Sequence, residues 1–340
     1  MAGGVPGASR RACWTRLFIG GPVLALITGA AAAEVTRSVL PAVASPSLAS
    51  APAARTLCPP ALPQASAAEQ AAAPRDRGLL WRATRDGRVL HLYGTLHVGK
   101  PHWKKLGPRT SAALRDSDVL ALEIDPLDPA LGAAMAELPY PRQFSAAMRE
   151  RLDLAYRRAC MAPEALATLH PLLQLTTLTV MEARWFGMDP AYSAELTLAG
   201  QPRNGSRRLV ALETPALQIR ALVPAEEAEA QAMFEQGLEQ LENQSARRVL
   251  QKLATAWEKG DLATLEDTRA WCECQLNDTD RALMARLTDA RNAALAAGIV
   301  AQHRAGKRVF AAVGALHMAG PQSLPRLLEQ QGFKVERIRF

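Results

Sequence analysis

Apolar residues in this chain fall into three kinds of run. Short runs rich in β-formers and bounded by glycine or turn residues predict strands. They cover Gly78 to Thr84, Val89 to Tyr93, Val119 to Asp125, Arg208 to Glu213, Arg308 to Val313 and Lys334 to Phe340. Asp86-Gly87 between the first two is a hairpin signal. Helix-spaced apolar positions predict helices over Lys104 to Ser117, over most of Asp128 to Leu222, and over Ser323 to Gln331. Pro224-Ala225-Glu226-Glu227 opens one long amphipathic helix, on which Phe234, Leu238, Leu241, Leu253 and Trp257 fall close to helical spacing. Asp261 and Asn277 are cap candidates for the helices that follow, and the last of these stops near Gly306. The third kind of run is unbroken: Leu17 to Ala33 has only Thr28 as a polar residue.

Two of the strands lead into the same motif. Gly94-Thr95-Leu96-His97-Val98-Gly99-Lys100-Pro101 returns 220 positions later as Gly314-Ala315-Leu316-His317-Met318-Ala319-Gly320-Pro321. Each copy is followed by proline, a helical stretch and another strand, which makes two βαβ-like units. The expected fold is α/β: a mostly parallel sheet built from these repeats at the two ends of the domain. A large helical insertion over about 126–305, interrupted by a strand at 208–213, separates them. The strand Val119 to Asp125 reads as buried on both faces.

Chemistry enters at the strand ends. His97, Glu123 with Asp125, Glu213 and His317 all follow apolar strands, and in a parallel sheet they would share the carboxyl edge, where α/β proteins hold ligands. Glu123 in an otherwise apolar strand is costly to bury unless paired. Asp125 and Glu213 serve equally as caps of the segments that follow them. Gly94 and Gly314, three residues before each histidine, allow a tight turn or a close approach to the site. Two imidazoles and a carboxylate are a ligand set for a divalent cation such as manganese, cobalt or zinc. The same groups also suit general acid–base work. Spacing leaves both open. Arg291 lies on a helix pattern whose default is a solvated charge. His102 is either a third nitrogen or a loop residue; His91, His170 and His303 read as structural. HExxH, Gly-x-Ser-x-Gly, P-loop and Gly-x-Gly-x-x-Gly signatures are absent from the sequence.

The N-terminal run changes the expected address. Arg10, Arg11 and Arg16 precede it and Ala31-x-Ala33 closes it, as in a secretory signal over 1–33. The expected location is the periplasm or outside the cell, with membrane attachment only if the segment stays uncleaved. Its removal lowers the formal net charge from +7 to +4. With no basic block interleaved with aromatics, nucleic acid is not an expected partner. Residues 34–75 are Ala/Pro-rich and read as a disordered linker, leaving 76–340 as one domain. Four cysteines remain, Cys58, Cys160, Cys272 and Cys274, an even count that favours disulfides in an oxidising compartment. The expected pairing joins Cys58 to Cys272 or Cys274.

Several of these segments together resemble one family. Leu92-Tyr93-Gly94-Thr95-Leu96-His97-Val98-Gly99, Ala121-Leu122-Glu123-Ile124-Asp125, Ala211-Leu212-Glu213-Thr214, Trp257-Glu258-Lys259-Gly260-Asp261, Arg291-Asn292 and Val313-Gly314-Ala315-Leu316-His317 are similar to the TraB/PrgY/GumN family. The likeness runs from about Gly78 to Phe340. It implies a fold like that of the erythromycin esterase and ChaN group and a relation to the Tiki metalloproteases. By that resemblance His97, His317 and Glu123 take the metal and catalytic positions, with Arg291 and Glu213 as further candidates. The expected function is a metal-dependent hydrolase, peptidase-like, acting on a peptide or a small ester or amide. The alternatives are a haem- or ligand-binding protein and an accessory factor in exopolysaccharide production.

Overall fold

The computed structural model of the chain describes residues 58–138, 145–201, 207–272 and 278–340. The expected signal at 1–33, most of the expected linker, Cys274 and Asn277 lie outside these residues. Six strands form one sheet: β1 Leu79–Arg85, β2 Arg88–Thr95, β3 Val119–Leu122, β4 Arg208–Ala211, β5 Val309–Gly314 and β6 Lys334–Ile338. Their order is β4-β3-β5-β2-β1-β6. The β1–β2 hairpin turns at Asp86 and Gly87, whose φ values of 51° and 70° are the paired positive angles that a two-residue turn needs.

β4, β3, β5 and β2 run parallel, and β1 is antiparallel to both of its neighbours. The fold is therefore α/β with a mostly parallel sheet. The two repeats do not sit side by side as separate units: β2 reaches β3 past β5, and β5 reaches β6 past β2 and β1. Because the copies interleave, β2 and β5 are neighbours, with Gly94 opposite Val313 and Thr95 opposite Gly314. Both histidine loops thus leave the same sheet edge next to one another. β3 and β5 are apolar and buried throughout their central residues, as parallel strands covered on both faces must be. β4 lies at the sheet edge and is only half-buried, so its apolar pattern does not mark a core strand.

Helices carry a second core. One apolar cluster packs around the sheet, and another is built from Met148, Tyr156, Leu166, Leu173, Ile219 and Phe234 among others. The single long helix expected after Pro224 is two helices, Glu227–Glu242 and Ser245–Glu258. Gln244 between them adopts a left-handed φ of 62°, and Asn243 Oδ1 accepts from Ser245 N at 2.8 Å. The break has a packing reason. Phe234, Leu238 and Leu241 belong to the helical cluster, whereas Leu253 and Trp257 pack with the sheet, so one straight rod cannot serve both. Among the described residues no helix is long and apolar enough to cross a membrane.

Two expectations about the N-terminal segment are corrected. Part of the expected linker is structured: Ser66 and Glu69 form a capping box on the short helix Ala67–Ala71, and Tyr192 Oη donates to Pro63 O at 2.8 Å. Asp76 then accepts from the N–H groups of Arg109 and Thr110, at the start of the helix Pro108–Arg115. The Cys58 sulfur pairs with Cys160 rather than with Cys272 or Cys274, across a Cα–Cα distance of 5.4 Å. An even cysteine count fixes how many bridges can form and carries no information on partners. The partner here is chosen by the helix Ala146–Ala159, which ends at Cys160 in a left-handed turn. Cys272 is also disulfide-bonded.

Candidate functional site

The carboxyl ends of four parallel strands supply the site. Glu123 follows β3 and Glu213 follows β4, joined by Glu213 N donating to Glu123 O at 2.8 Å. His97 follows β2, and His317 follows β5 on the short 3-10 helix Ala315–Met318. Side chains of His97, Glu123 and His317 line one cavity of about 260 Å³ together with Arg291, Gln218, Gly314 and Thr288. Leu222, Leu253, Met284, Leu287 and Leu316 make up most of the rest of its wall.

Glu123 is the hub. Its Oε1 accepts from Gly314 N at 2.7 Å, and its Oε2 accepts from Gln218 Nε2 at 2.8 Å and from Arg291 Nη2 at 2.5 Å. Burial alone would push this carboxyl up, but the positive charges around it and the Gly314 N–H hold it down to about 2. The side chain of Arg291 is 15% exposed and also donates from Nε to Glu213 Oε1 at 2.9 Å. It is not the solvated helix charge that its sequence position suggests. Burial works against its charge, yet the two carboxylates raise its pKa further above the ordinary value. Glu213 is buried and holds Arg291 from behind the cavity wall; the cap of the next helix is Thr214, which accepts from Leu217 N.

The glycines act by close approach and not by an unusual turn, since neither has a positive φ. A Cβ on Gly314 would stand 3.2 Å from Glu123 Oε1 and 3.4 Å from His317 Cδ2. A Cβ on Gly94 would meet the backbone Cα of Ala315 at 3.2 Å, where β2 passes the second motif. Gly94 O in turn accepts from Trp257 Nε1 at 2.7 Å.

His317 is 4% exposed. Asn292 directs its ring: Asn292 Nδ2 donates to Gln322 O at 2.9 Å, which turns Oδ1 towards His317 Nδ1 at 2.5 Å. With Nδ1 as the donor, the lone pair of the neutral ring is at Nε2. Burial pushes the pKa of His317 down, so the ring is neutral at pH 7.

His97 is set up in the opposite way. Its side chain is 51% exposed, and its Nδ1 lies 3.0 Å from Glu195 Oε1. The Glu195 carboxylate raises its pKa from 6.5 to about 9, so the ring is a cation at pH 7. Glu195 comes from the first turn of the helix Ala194–Ala199, capped by the buried Ser193. That helix is brought to the motif by Ala194 N donating to Leu96 O and by a bridge between Gly99 and Asp189. Gly99 is required there, because a Cβ would fall 2.0 Å from Tyr192 O.

Other candidates stand apart. Asp125 accepts from Leu127 N at 2.9 Å and shapes a turn outside the cavity. His102 pairs with Glu69 on a separate cavity. The sequence missed Glu195 and Gln218 and gave Asn292 no role. An acidic residue in a first helical turn is ordinary helix chemistry, so nothing in its position sets Glu195 apart. Asn292, a weak helix former in mid-helix, left at least a trace.

A cation cage does not form from these groups. Among the described residues no three His, Cys, Asp or Glu side chains gather as one would require. Both oxygens of Glu123 already accept hydrogen bonds, Arg291 stands against it, and Nδ1 of His97 is engaged by Glu195. In this arrangement the donor set does not fit a divalent metal.

Comparison with known proteins gave one finding beside this geometry. No curated protein and no solved structure matched the chain. The model of the TraB/PrgY/gumN family matches residues 79–337, from β1 to the penultimate residue of β6, and the chain belongs to that family.

Proposed function

We propose that the cavity hydrolyses an amide or ester, with the two motif histidines dividing the proton work. The observation that supports this most is that two copies of one motif present one cationic and one neutral imidazole to one cavity. Pairs of titratable groups whose surroundings drive their pKa values apart are the usual basis for an acid and a base acting together. A water against His317 Nε2 loses its proton to that nitrogen as its oxygen bonds to the carbonyl carbon. His97 donates its proton to the leaving nitrogen or oxygen as the C–N or C–O bond breaks. Glu195 and Asn292 act as positioning residues, each fixing one ring. Glu123, Arg291 and Glu213 form a closed charge network that keeps the floor of the cavity rigid. The Cys58–Cys160 bridge supports a periplasmic or secreted setting, where such bonds persist.

The test is a screen of the purified chain against peptides and esters, with His97→Ala and His317→Ala beside it. Each variant is expected to lower kcat/KM by roughly 10²–10⁴, the range for losing a general acid or base. Full activity in either would end the shared-site reading. The metal-dependent form of the reaction needs His97 released from Glu195 and Arg291 moved from Glu123. Titration with manganese, cobalt and zinc tests it: activity that requires a metal, with binding lost in both variants, would replace the acid–base reading. A chain inert to every substrate but giving a Soret band with haem would support the binding alternative.

A further inference from the structure

We infer that this cavity selects an uncharged, apolar acyl or side-chain group next to the bond it acts on, and rejects carboxylate- or phosphate-bearing substrates. The inference deepens the hydrolytic reading and rests on it. Its basis is the division of the cavity into two parts. The floor carries every charge. The wall is Leu222, Leu253, Met284, Leu287 and Leu316, all half-buried, so their remaining apolar surface faces open space.

The walls come from elements outside the repeated motif, apart from Leu316. Leu222 ends the helix Pro215–Leu222, Leu253 lies on Ser245–Glu258, and Met284 and Leu287 lie on Asp278–Leu287. Covering half-exposed aliphatic side chains with an apolar ligand is favourable at about 0.8 kcal/mol per methylene, roughly fourfold in affinity. The volume, about 260 Å³, is at the small end for a ligand site. Taking the ~30 Å³ share of a water molecule as a guide, it has room for on the order of ten non-hydrogen atoms. One medium side chain or a short acyl chain with its carbonyl fills it.

Charge argues against anions. The cations at the cavity are Arg291 and His97, and both are already paired: Arg291 with Glu123 and Glu213, His97 with Glu195. Glu123 is in the lining and Glu195 and Glu213 stand behind it, so three carboxylates surround two cations, and a bound carboxylate or phosphate would meet no free guanidinium. Burying a charge without a partner is the costliest way to fill such a space.

Binding of acetamide, butyramide, hexanamide and hexanoate to the full chain tests this without needing turnover. Calorimetry is expected to show affinity rising about fourfold per methylene along the amides, with hexanoate at least tenfold weaker than hexanamide. Met284→Glu is expected to flatten the series, and Met284→Gln to weaken it less. Met284 lies outside both apolar clusters, so each variant should keep the melting temperature of the parent. Equal binding of hexanoate and hexanamide, or an amide series unchanged in Met284→Glu, would overturn the inference. Amide binding as expected with no ester or peptide hydrolysed would leave the apolar pocket standing and remove the hydrolytic reading alone.

Discussion

His97 and His317 occupy the same place in two copies of one motif, on neighbouring parallel strands, yet they are prepared for opposite tasks. His97 stands half in solvent with a carboxylate on its Nδ1; His317 is buried with a neutral amide on its Nδ1. The same nitrogen is engaged in both rings. The partner's charge and the ring's exposure decide the rest: a carboxylate keeps the proton on His97, and burial beside a neutral oxygen removes it from His317. Neither partner belongs to the repeat. Glu195 and Asn292 come from different helices of the segment between the copies. A duplicated motif supplied two equivalent imidazoles, and the helices between the copies made them different.

The comparison can be broken most severely at the group the two halves share. Arg291→Met leaves Glu123 and Glu213 buried side by side without their cation, a loss expected to cost about 3–5 kcal/mol. Denaturant unfolding reads this directly, and a variant within 1 kcal/mol of the parent would show that the network does not hold the edge of the sheet together. The next largest effect separates the two glycines. Gly94→Ala forces a Cβ against the Ala315 backbone, with about 1–3 kcal/mol of overpacking expected in stability. Gly314→Ala presses instead on Glu123 Oε1 and His317 Cδ2, and is expected to reduce activity more than stability. Similar losses of both kinds in both variants would remove that distinction.

The smallest effect is the sharpest probe of the two charge states. Glu195→Gln removes the main cause of the raised His97 pKa, so the alkaline limb of the pH–rate profile should move from about 9 towards 6.5. Asn292→Ala should leave that limb in place. The sign also follows for stability. A raised His97 pKa stabilises the fold fully below about 6.5, and that contribution fades as pH rises through 9. A Glu123 carboxyl held at about 2 contributes above its ordinary value of 4.5 and is lost as pH falls towards 2. Unfolding midpoints across the two windows, measured for parent and Glu195→Gln, test both; a parent whose alkaline loss persists in Glu195→Gln would assign it to another group.

Much of the edge was legible because strand endings leave a local signature. The apolar runs ending in His97, Glu123, Glu213 and His317 marked four parallel strands and therefore one shared edge. What failed was whatever depended on a partner distant in sequence. Arg291 reads as a surface charge until two carboxylates from other strands are placed against it. Cys58 finds Cys160 across a separation of 102 residues that no spacing rule could select. The helix after Pro224 keeps its apolar period through Gln244, so the period conceals that its two halves serve different cores.

The sequence by itself determined the six strands to within a few residues, the α/β class, the family and the identity of the motif groups, because each rests on local periodicity or on residues close together in the chain. Only the tertiary structure decided the interleaved strand order, the pairing of Cys58, the burial of Arg291 and the charge carried by each histidine. Those depend on which groups from distant segments come within a few ångströms, where burial and a single neighbouring charge outweigh anything the local sequence encodes.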